Sequence, residues 1–220
     1  MQFYQEITFI VQEDISLNFI RNQAFKQLHV ALVDMHNRQQ HKGIGFSFPG
    51  YVFEPDQGKI GLGKTMRIFA PGTPKRLRSA CLGKTMRIFA QTEAELMALN
   101  AGLWLSRLTD YVHISSIKPV PNRVTHYAIY QRKQVKSSVE RLARRYAKRK
   151  HVTFEDAMAH LNGKTPEYCD LPYVQMKSES TDQRFHLLIH KVKVTAPTEA
   201  ANFTTYGLSH HEQLSAVPEF

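Results

Sequence analysis

Residues 3–33 read FYQEITFIVQEDISLNFIRNQAFKQLHVALV and predict a strand followed by a helix. Ile7, Phe9 and Val11 alternate with polar residues, which is the pattern of a half-buried strand. From Leu17 to Val33 the apolar residues recur at the three- and four-residue spacing of an amphipathic helix. This strand and helix open the fold, and the segments that follow decide its class.

Four later segments complete the order β-α-β-β-α-β. Ile44–Phe48 alternates before a proline, which predicts a second strand. MRIFA at 86–90 predicts a third strand, and a capping box of Thr92 and Glu95 opens a second helix. With a further strand at 112–117, the order predicts an α+β protein with a ferredoxin-like, RRM-like domain. Many RNA-binding modules share this plan.

The proline-rich segment KPVP at 118–121 suggests a domain boundary. It divides the chain into a ferredoxin-like domain at 1–120 and a second domain at 121–220. Hydrophobic residues make up 42% of the chain, which is enough for a folded core in both parts. In the second part a capping box predicts a helix at 138–150, and strand-like segments follow.

One segment is repeated. LGKTMRIFA occurs at 62–70 and again at 82–90. A sheet of this size has room for one such strand in one register. Because the second copy leads directly into a helix, we assign the strand to the second copy and predict an enlarged loop around 58–80.

The first copy also creates a nucleotide-binding pattern. Gly58, Gly63, Lys64 and Thr65 match the spacing of a P-loop. That motif needs a helix after the glycine-rich loop, so that the N–H groups of its first turn face the phosphates. Met66–Ala70 is instead typical of a strand. Nucleotide hydrolysis therefore remains a weak alternative.

The charge of the chain favours a polyanionic partner. Lys and Arg number 29 against 19 acids, for a net charge of +10. Nine of these cations and one acid fall between Arg132 and Lys150. Helix faces that are merely solvated usually mix signs. A face with cations alone favours nucleic-acid binding. Its cations are Arg141, Arg144, Arg145, Lys148 and Arg149.

Three further features of the sequence concern RNA contacts and catalysis. Arg132 and Gln134 lie two residues apart, so that both can point to one side of an extended segment and contact purine edges. The segment KSEST at 177–181 offers hydroxyl groups for a phosphate or a ribose, although a polar hairpin turn has the same composition. Position alone favours a structural role for His29, beside the apolar side of its helix.

Other classes of protein are disfavoured. Cys81 and Cys169 are not spaced as metal ligands, and neither are the histidines, so we predict no metal and no cofactor. No apolar segment approaches the roughly 20 residues of a membrane span, and the N-terminus lacks the features of a signal peptide. We therefore expect a cytoplasmic protein with no membrane partner.

Six segments occur together in one known family. The sequence resembles the CRISPR RNA-processing endoribonuclease of type I-F systems, and the matching segments follow the order of that family over most of the chain. They are KQLHVAL at 26–32, IGFSFP at 44–49, QRKQVKSSVERLARR at 131–145, LPYVQMKSEST at 171–181, RFHLLI at 184–189 and TTYGLS at 204–209.

The resemblance implies a fold and a substrate. The fold is an N-terminal ferredoxin-like domain of the RAMP type, followed by a family-specific α+β domain that holds the arginine-rich helix. The substrate is the stem-loop of the CRISPR repeat within the precursor transcript. The product, crRNA, stays bound, and the protein joins the other subunits of the type I-F surveillance (Cascade) complex.

The resemblance also implies a chemistry that needs no metal. The 2′-hydroxyl beside the scissile phosphate attacks it, leaving a 2′,3′-cyclic phosphate and a 5′-hydroxyl. His29 matches the catalytic histidine of the family as general base, with general acid as a further role. Ser178 matches the serine that holds the 2′-hydroxyl, and Tyr206 matches the tyrosine that orients the imidazole.

The remaining matches imply RNA contacts. The resemblance assigns purine recognition to Arg132 and Gln134 and stacking on the terminal base pair to Phe185. The residues expected to meet phosphates or other parts of the nucleotide are Arg144, Arg145, Lys148, Arg149, Ser180 and Thr181.

The chain departs from the family pattern in three places. The repeated segment is extra, lysines replace arginines late in the basic helix, and Glu219 stands where an aromatic residue is expected. Three alternatives stay open: an RNA-binding subunit without chemistry, a P-loop NTPase and a metal-dependent nuclease.

Overall fold

The computed structural model describes residues 1–39, 41–53, 80–135, 139–162, 169–178, 181–198 and 201–220. The P-loop pattern, the first copy of LGKTMRIFA and nearly all of the predicted enlarged loop lie outside this part. The described helices are α1 (Leu17–Gln39), α2 (Glu93–Leu99), α3 (Ala101–Trp104), α4 (Val139–Lys150) and α5 (Phe154–His160). The described strands are β1 (Phe3–Phe9), β2 (Gly45–Ser47), β3 (Val52–Phe53), β4 (Ala80–Cys81), β5 (Thr85–Ala90), β6 (Val112–Ile114), β7 (Lys118–Pro119), β8 (His126–Lys133), β9 (Tyr173–Lys177), β10 (Arg184–Val194) and β11 (Val217–Glu219).

The first sheet has the order β2-β5-β1-β6, and β7 also pairs with β1. These pairings are antiparallel, and Ile7 of β1 lies opposite Met86 on one side and Ile114 on the other. The second copy of the repeated segment therefore forms β5, as the sequence predicted. Ile7 and Met86 are fully buried, so the sheet contributes to the hydrophobic core.

Helix α1 is longer than its apolar pattern predicted, because it continues to Gln39 rather than ending near Val33. Its apolar residues reach the core: Ile20, Phe25 and Leu28 are at most 1% exposed. Of the added residues Met35 is buried in the core, at 8% exposed, and the others are polar. An ion pair of 2.8 Å joins Arg38 Nε to Asp34 Oδ1 at i,i+4 spacing.

The second sheet has the order β11-β8-β10-β9. It includes Glu219, where the family pattern predicted an aromatic residue. Glu219 forms an ion pair with Lys191, and its Oε1 lies 3.0 Å from the hydroxyl of Tyr130. The hydroxyl also lies 3.1 Å from the carbonyl oxygen of Phe48. The carboxylate therefore has partners in the place where apolar packing was expected.

Tyr130→Phe is expected to destabilise the protein by about 1–3 kcal/mol, because a buried acceptor loses its donor. Burial and the charge of Glu219 raise the pKa of Tyr130 in the folded state. The wild-type protein should therefore lose stability as pH rises above about 10, the ordinary tyrosine pKa, and the variant should lose less. Urea unfolding at pH 8 and pH 10.5 measures both effects. Tyr127→Phe on the same strand serves as control, and an equal loss there would contradict the assignment.

The chain forms two compact units, one of residues 1–132 with 171–220 and one of residues 133–170. In the smaller unit, α4 packs against α5 through the buried Ala143, Ala157 and Leu161. The division between compact units thus differs from the domain boundary near residue 120, which stays a prediction. Among the described helices, none combines the length and the apolar character that a membrane span requires.

Candidate active site

His29 lies in the middle of α1 and contacts a segment far away in sequence. Its Nδ1 is 2.7 Å from the carbonyl oxygen of Thr205, 176 residues further along the chain. Because a carbonyl oxygen can only accept, Nδ1 must carry the proton, and the neutral ring then has its lone pair at Nε2. This contact selects the tautomer that a general base needs at Nε2.

The ring of Tyr206 packs flat against the imidazole. The two centroids are 4.2 Å apart and the planes differ by 11°. Together with the Thr205 contact, this stack holds the ring from a face and from an edge. His29 is therefore positioned by the segment 205–206 in addition to its own helix.

A tight turn holds that segment in place. Gly207 has a φ of +67°, and its N–H donates to the carbonyl oxygen of Thr204 at 2.8 Å. Its own carbonyl oxygen accepts from the N–H of Phe46 at 2.7 Å. A Cβ at this position would meet the ring of Phe46 at 2.5 Å. Both the backbone conformation and the close packing therefore require glycine beside Tyr206.

The side chains predicted for catalysis line one cavity of about 400 Å³, which we call the catalytic cavity. His29, Ser178 and Tyr206 all line it, as does Phe185. They come from α1, the end of β9, β10 and the 204–209 turn, so only the folded chain brings them together. The remaining lining residues are Lys26, Val30, Val33, Met176 and Lys177.

Ser178 follows β9 at the start of a hairpin turn. Its N–H donates to the carbonyl oxygen of Gln183 at 2.9 Å, and its own carbonyl oxygen accepts from Asp182 at 2.9 Å. Its hydroxyl oxygen lies 3.3 Å from the N–H of Thr181, which places this predicted RNA contact within the turn. Ser180, the other predicted contact here, lies outside the described residues.

Arg132 lies near two aromatic rings that line the catalytic cavity. Its Cζ is 5.5 Å from the ring centroid of Phe185 and 5.7 Å from that of Tyr206. These distances are within the range of cation–π attraction. Arg132 is exposed at the end of β8, and Gln134, also exposed, follows the strand in the smaller unit. The geometry brings Arg132 close to two of the site residues.

The predicted basic face lies on α4, which begins at Val139 and ends at Lys150. A weak ion pair of 3.7 Å joins Arg144 to Glu140, the one acid in the helix. The other side of α4 packs on α5, where the ring of Tyr146 stacks on His160 at 4.6 Å. The cations predicted to bind RNA are all exposed: Arg141, Arg144, Arg145, Lys148 and Arg149.

Lys26 was missed by the sequence interpretation. It lines the catalytic cavity, three residues before His29 on the same helix. Residues at i,i+3 spacing lie on one side of a helix, so the spacing alone could have indicated it. Lys177 lines the cavity as well, and its Nζ forms an ion pair with Asp182.

The family affiliation follows from comparison with known proteins. The family model described as "CRISPR-associated protein (Cas_Csy4)" matches residues 4–80 and 71–220, nearly the entire sequence. The chain belongs to the Cas_Csy4 family. The resemblance stated from the sequence is thereby confirmed.

Two curated relatives in this family carry the same description, "CRISPR-associated endonuclease Cas6/Csy4". The protein of Escherichia coli (strain UTI89 / UPEC) is 30% identical over 209 residues, which is 95% of this chain and 96% of the relative. The protein of Pseudomonas aeruginosa (strain UCBPP-PA14) is 32% identical over 185 residues, or 84% and 83% of the two chains.

A solved structure described as "An RAMP protein binding different RNA substrates" covers 99% of this chain and 100% of its own. Its TM-score is 0.33 and its sequence identity is 11%. A likeness at that score is too weak to support a conclusion about this Cas_Csy4 family member.

The two ranges matched by the Cas_Csy4 model divide the two copies of the repeated segment between them. They overlap at residues 71–80, and each contains one copy of LGKTMRIFA: 62–70 lies in the first range and 82–90 in the second. The family model therefore covers both copies of this segment, one in each range.

Proposed function

We propose that this chain is an endoribonuclease that cuts precursor CRISPR RNA at the repeat hairpin without a metal ion. The observation that carries the proposal is the hydrogen bond from His29 Nδ1 to the Thr205 carbonyl, because it puts the ring proton on Nδ1 and the lone pair on Nε2, and His29 lines the same cavity as Ser178. The family affiliation and the two relatives described as endonucleases support the same class of reaction.

The proposed reaction balances with the RNA's own atoms. Nε2 of His29 takes the proton of the 2′-hydroxyl while Ser178 holds that hydroxyl in place. The 2′-oxygen bonds to phosphorus as the bond from phosphorus to the 5′-oxygen breaks. The products are a 2′,3′-cyclic phosphate and, after the 5′-oxygen takes a proton from the imidazolium or from water, a 5′-hydroxyl. Tyr206 keeps the imidazole in position throughout.

The proposed binding surface has two parts. The exposed cations of α4 neutralise phosphates of the hairpin, while Phe185 stacks on its terminal base pair. Arg132, with Gln134, contacts purine edges near the base of the stem. Thr181 and Ser180 are proposed to contact the nucleotide. We further propose that the crRNA product stays bound and that the protein works within a Cascade complex in the cytoplasm.

We also infer that the first sheet and its helices form a ferredoxin-like domain of the RAMP type. The strand order β2-β5-β1-β6 with antiparallel neighbours supports this assignment, because β-α-β-β-α-β connectivity produces that order. The assignment matters for function, since it places His29 on the first helix of the domain.

Lys26→Ala is expected to slow cleavage about 10²-fold with little change in RNA affinity, because the phosphate gains negative charge in the transition state and loses a nearby ammonium group. Lys26→Arg should recover part of the rate. Single-turnover cleavage measures the effect, with Lys84→Ala, an exposed lysine that does not line the cavity, as control. Equal rates for Lys26→Ala and the wild-type protein would contradict this role.

The proposed function is tested by incubating the protein with the hairpin repeat of its own locus in the presence of a chelator. We expect undiminished cleavage and a 2′,3′-cyclic phosphate on the upstream fragment. A requirement for magnesium would defeat the mechanism. Tight binding without any cleavage would favour the alternative of an RNA-binding subunit.

A further inference from the structure

A second cavity lies beside the catalytic one. It has a volume of about 220 Å³, and we call it the histidine cavity. Its apolar lining comes from Leu32, Ile44 and Phe203. Its polar lining is rich in groups that donate hydrogen bonds, and the described residues that line it include no carboxylate: His36, His41, Lys42, Asn202, Thr204, Thr205 and His210. The reaction proposed above gives no role to the side chains that line this cavity.

Residues of α1 on either flank of His29 line the two cavities. Successive residues of an α-helix are about 100° apart around its axis. Relative to His29, this spacing places Lys26, Val30 and Val33 on one side of α1, and these line the catalytic cavity. It places Leu32 and His36 on the other flank of His29, and these line the histidine cavity.

The 204–206 segment shows the same arrangement. Tyr206 lines the catalytic cavity, whereas Thr204 and Thr205 line the histidine cavity. Thr205 also supplies the carbonyl oxygen that accepts from His29 Nδ1 at 2.7 Å. The His29 imidazole therefore lies between residues that line the two cavities. Its Nδ1 bonds to Thr205, which lines the histidine cavity.

Several polar atoms at the histidine cavity lack partners. His36 Nδ1, His41 Nε2 and Asn202 Oδ1 are buried without a hydrogen bond among the described residues. His41 Nε2 lies 3.7 Å from a carboxylate oxygen of Glu95, which is beyond hydrogen-bond distance. Unpaired polar groups cost free energy, so a polar ligand that rearranges these side chains gains by pairing them.

The chemistry of the lining narrows the class of ligand. The described residues contain no group of three His, Cys, Asp or Glu side chains arranged to hold a metal ion. The cavity is also smaller than the roughly 300–1,000 Å³ that is usual for a larger organic ligand. A single unstacked nucleobase offers donors and acceptors at its edges, and its adjoining phosphate suits Lys42.

In-line attack indicates which nucleotide this is. The attacking and leaving oxygens lie on opposite sides of phosphorus during a displacement. If Ser178 holds the 2′-oxygen in the catalytic cavity, the 5′-oxygen departs toward the other side. We propose that the histidine cavity binds the nucleoside immediately 3′ of the cleaved bond, the one whose 5′-oxygen leaves. This inference rests on the proposed function and adds a leaving-group subsite to it.

The test compares two hairpin substrates in single-turnover cleavage. One has the intact nucleotide 3′ of the cut, and the other has an abasic ribose there. For the wild-type protein we expect the abasic substrate to be cut roughly 10-fold more slowly, since one tenfold step corresponds to about 1.4 kcal/mol of lost contact. Equal rates on the two substrates would overturn the inference, and this comparison requires no variant.

His36→Ala then locates the contact. It should slow cleavage of the intact substrate by a similar factor and have little further effect on the abasic one, because both changes remove the same interaction. Arg38→Ala lies on the same helix but outside the cavity lining. It should keep the wild-type ratio of cleavage rates on the intact and abasic substrates. If the loss from the abasic substrate and the loss from His36→Ala multiply, the base binds elsewhere and the inference is overturned. If the wild-type protein cuts neither substrate, the proposed function itself fails.

Discussion

His29→Ala is expected to slow cleavage of the repeat hairpin by roughly 10²–10⁴-fold, the usual contribution of a positioned general base. The effect should fall on the chemical step, because the imidazole is held by Thr205 and Tyr206 in a geometry that selects Nε2 as acceptor. Single-turnover cleavage measures the rate, and fluorescence anisotropy with the same hairpin measures affinity.

Affinity should change little, since the cations proposed to bind phosphates lie elsewhere in the chain. His113→Ala removes an exposed histidine from β6 and should leave both quantities unchanged. If the His29→Ala protein still cuts at the wild-type rate, another group accepts the proton. If it fails to bind the hairpin, the helix has a role in recognition that the proposal lacks.

Replacing Arg144, Arg145, Lys148 and Arg149 together by alanine should weaken hairpin binding by roughly 10²–10³-fold near physiological salt. Each lost phosphate contact removes about one unit from the slope of log affinity against log salt, so the slope should become shallower by about four. Alanine is the strongest helix former, and these side chains are exposed, so α4 itself should persist.

The matched control removes the same number of exposed cations from the larger unit: Lys84, Arg107, Lys118 and Arg123. Anisotropy titrations at several salt concentrations compare the two variants. A loss confined to the α4 variant supports a defined phosphate-binding helix. Equal losses would mean that net charge alone drives binding, and the role proposed for α4 would be wrong.

The order of strands and helices was accessible from local spacing. The period of two in β1 and the periods of three and four in α1 depend only on neighbours along the chain. The capping box of Thr92 and Glu95 is likewise local, and it is present as expected at the start of α2. Local patterns failed at the end of α1, because the residues after the buried Met35 are polar and carry no apolar period.

The candidate site was only partly accessible in this way. Resemblance singled out His29, Ser178 and Tyr206, whereas their shared cavity depends on contacts between residues far apart in sequence. Lys26 escaped notice because a lysine on a helix is ordinary until the fold shows that it lines the same cavity as His29. Glu219 was judged a departure, and its partners Tyr130 and Lys191 could not be inferred from spacing.

Periodicity and charge thus predicted the order of the first strands and helices and a basic helix, because both depend on side chains a few residues apart. Tertiary structure decided which nitrogen of His29 carries the ring proton and which carries the lone pair. It did so through a backbone carbonyl 176 residues away. Because any residue type can supply a carbonyl, no pattern of side chains predicts that contact.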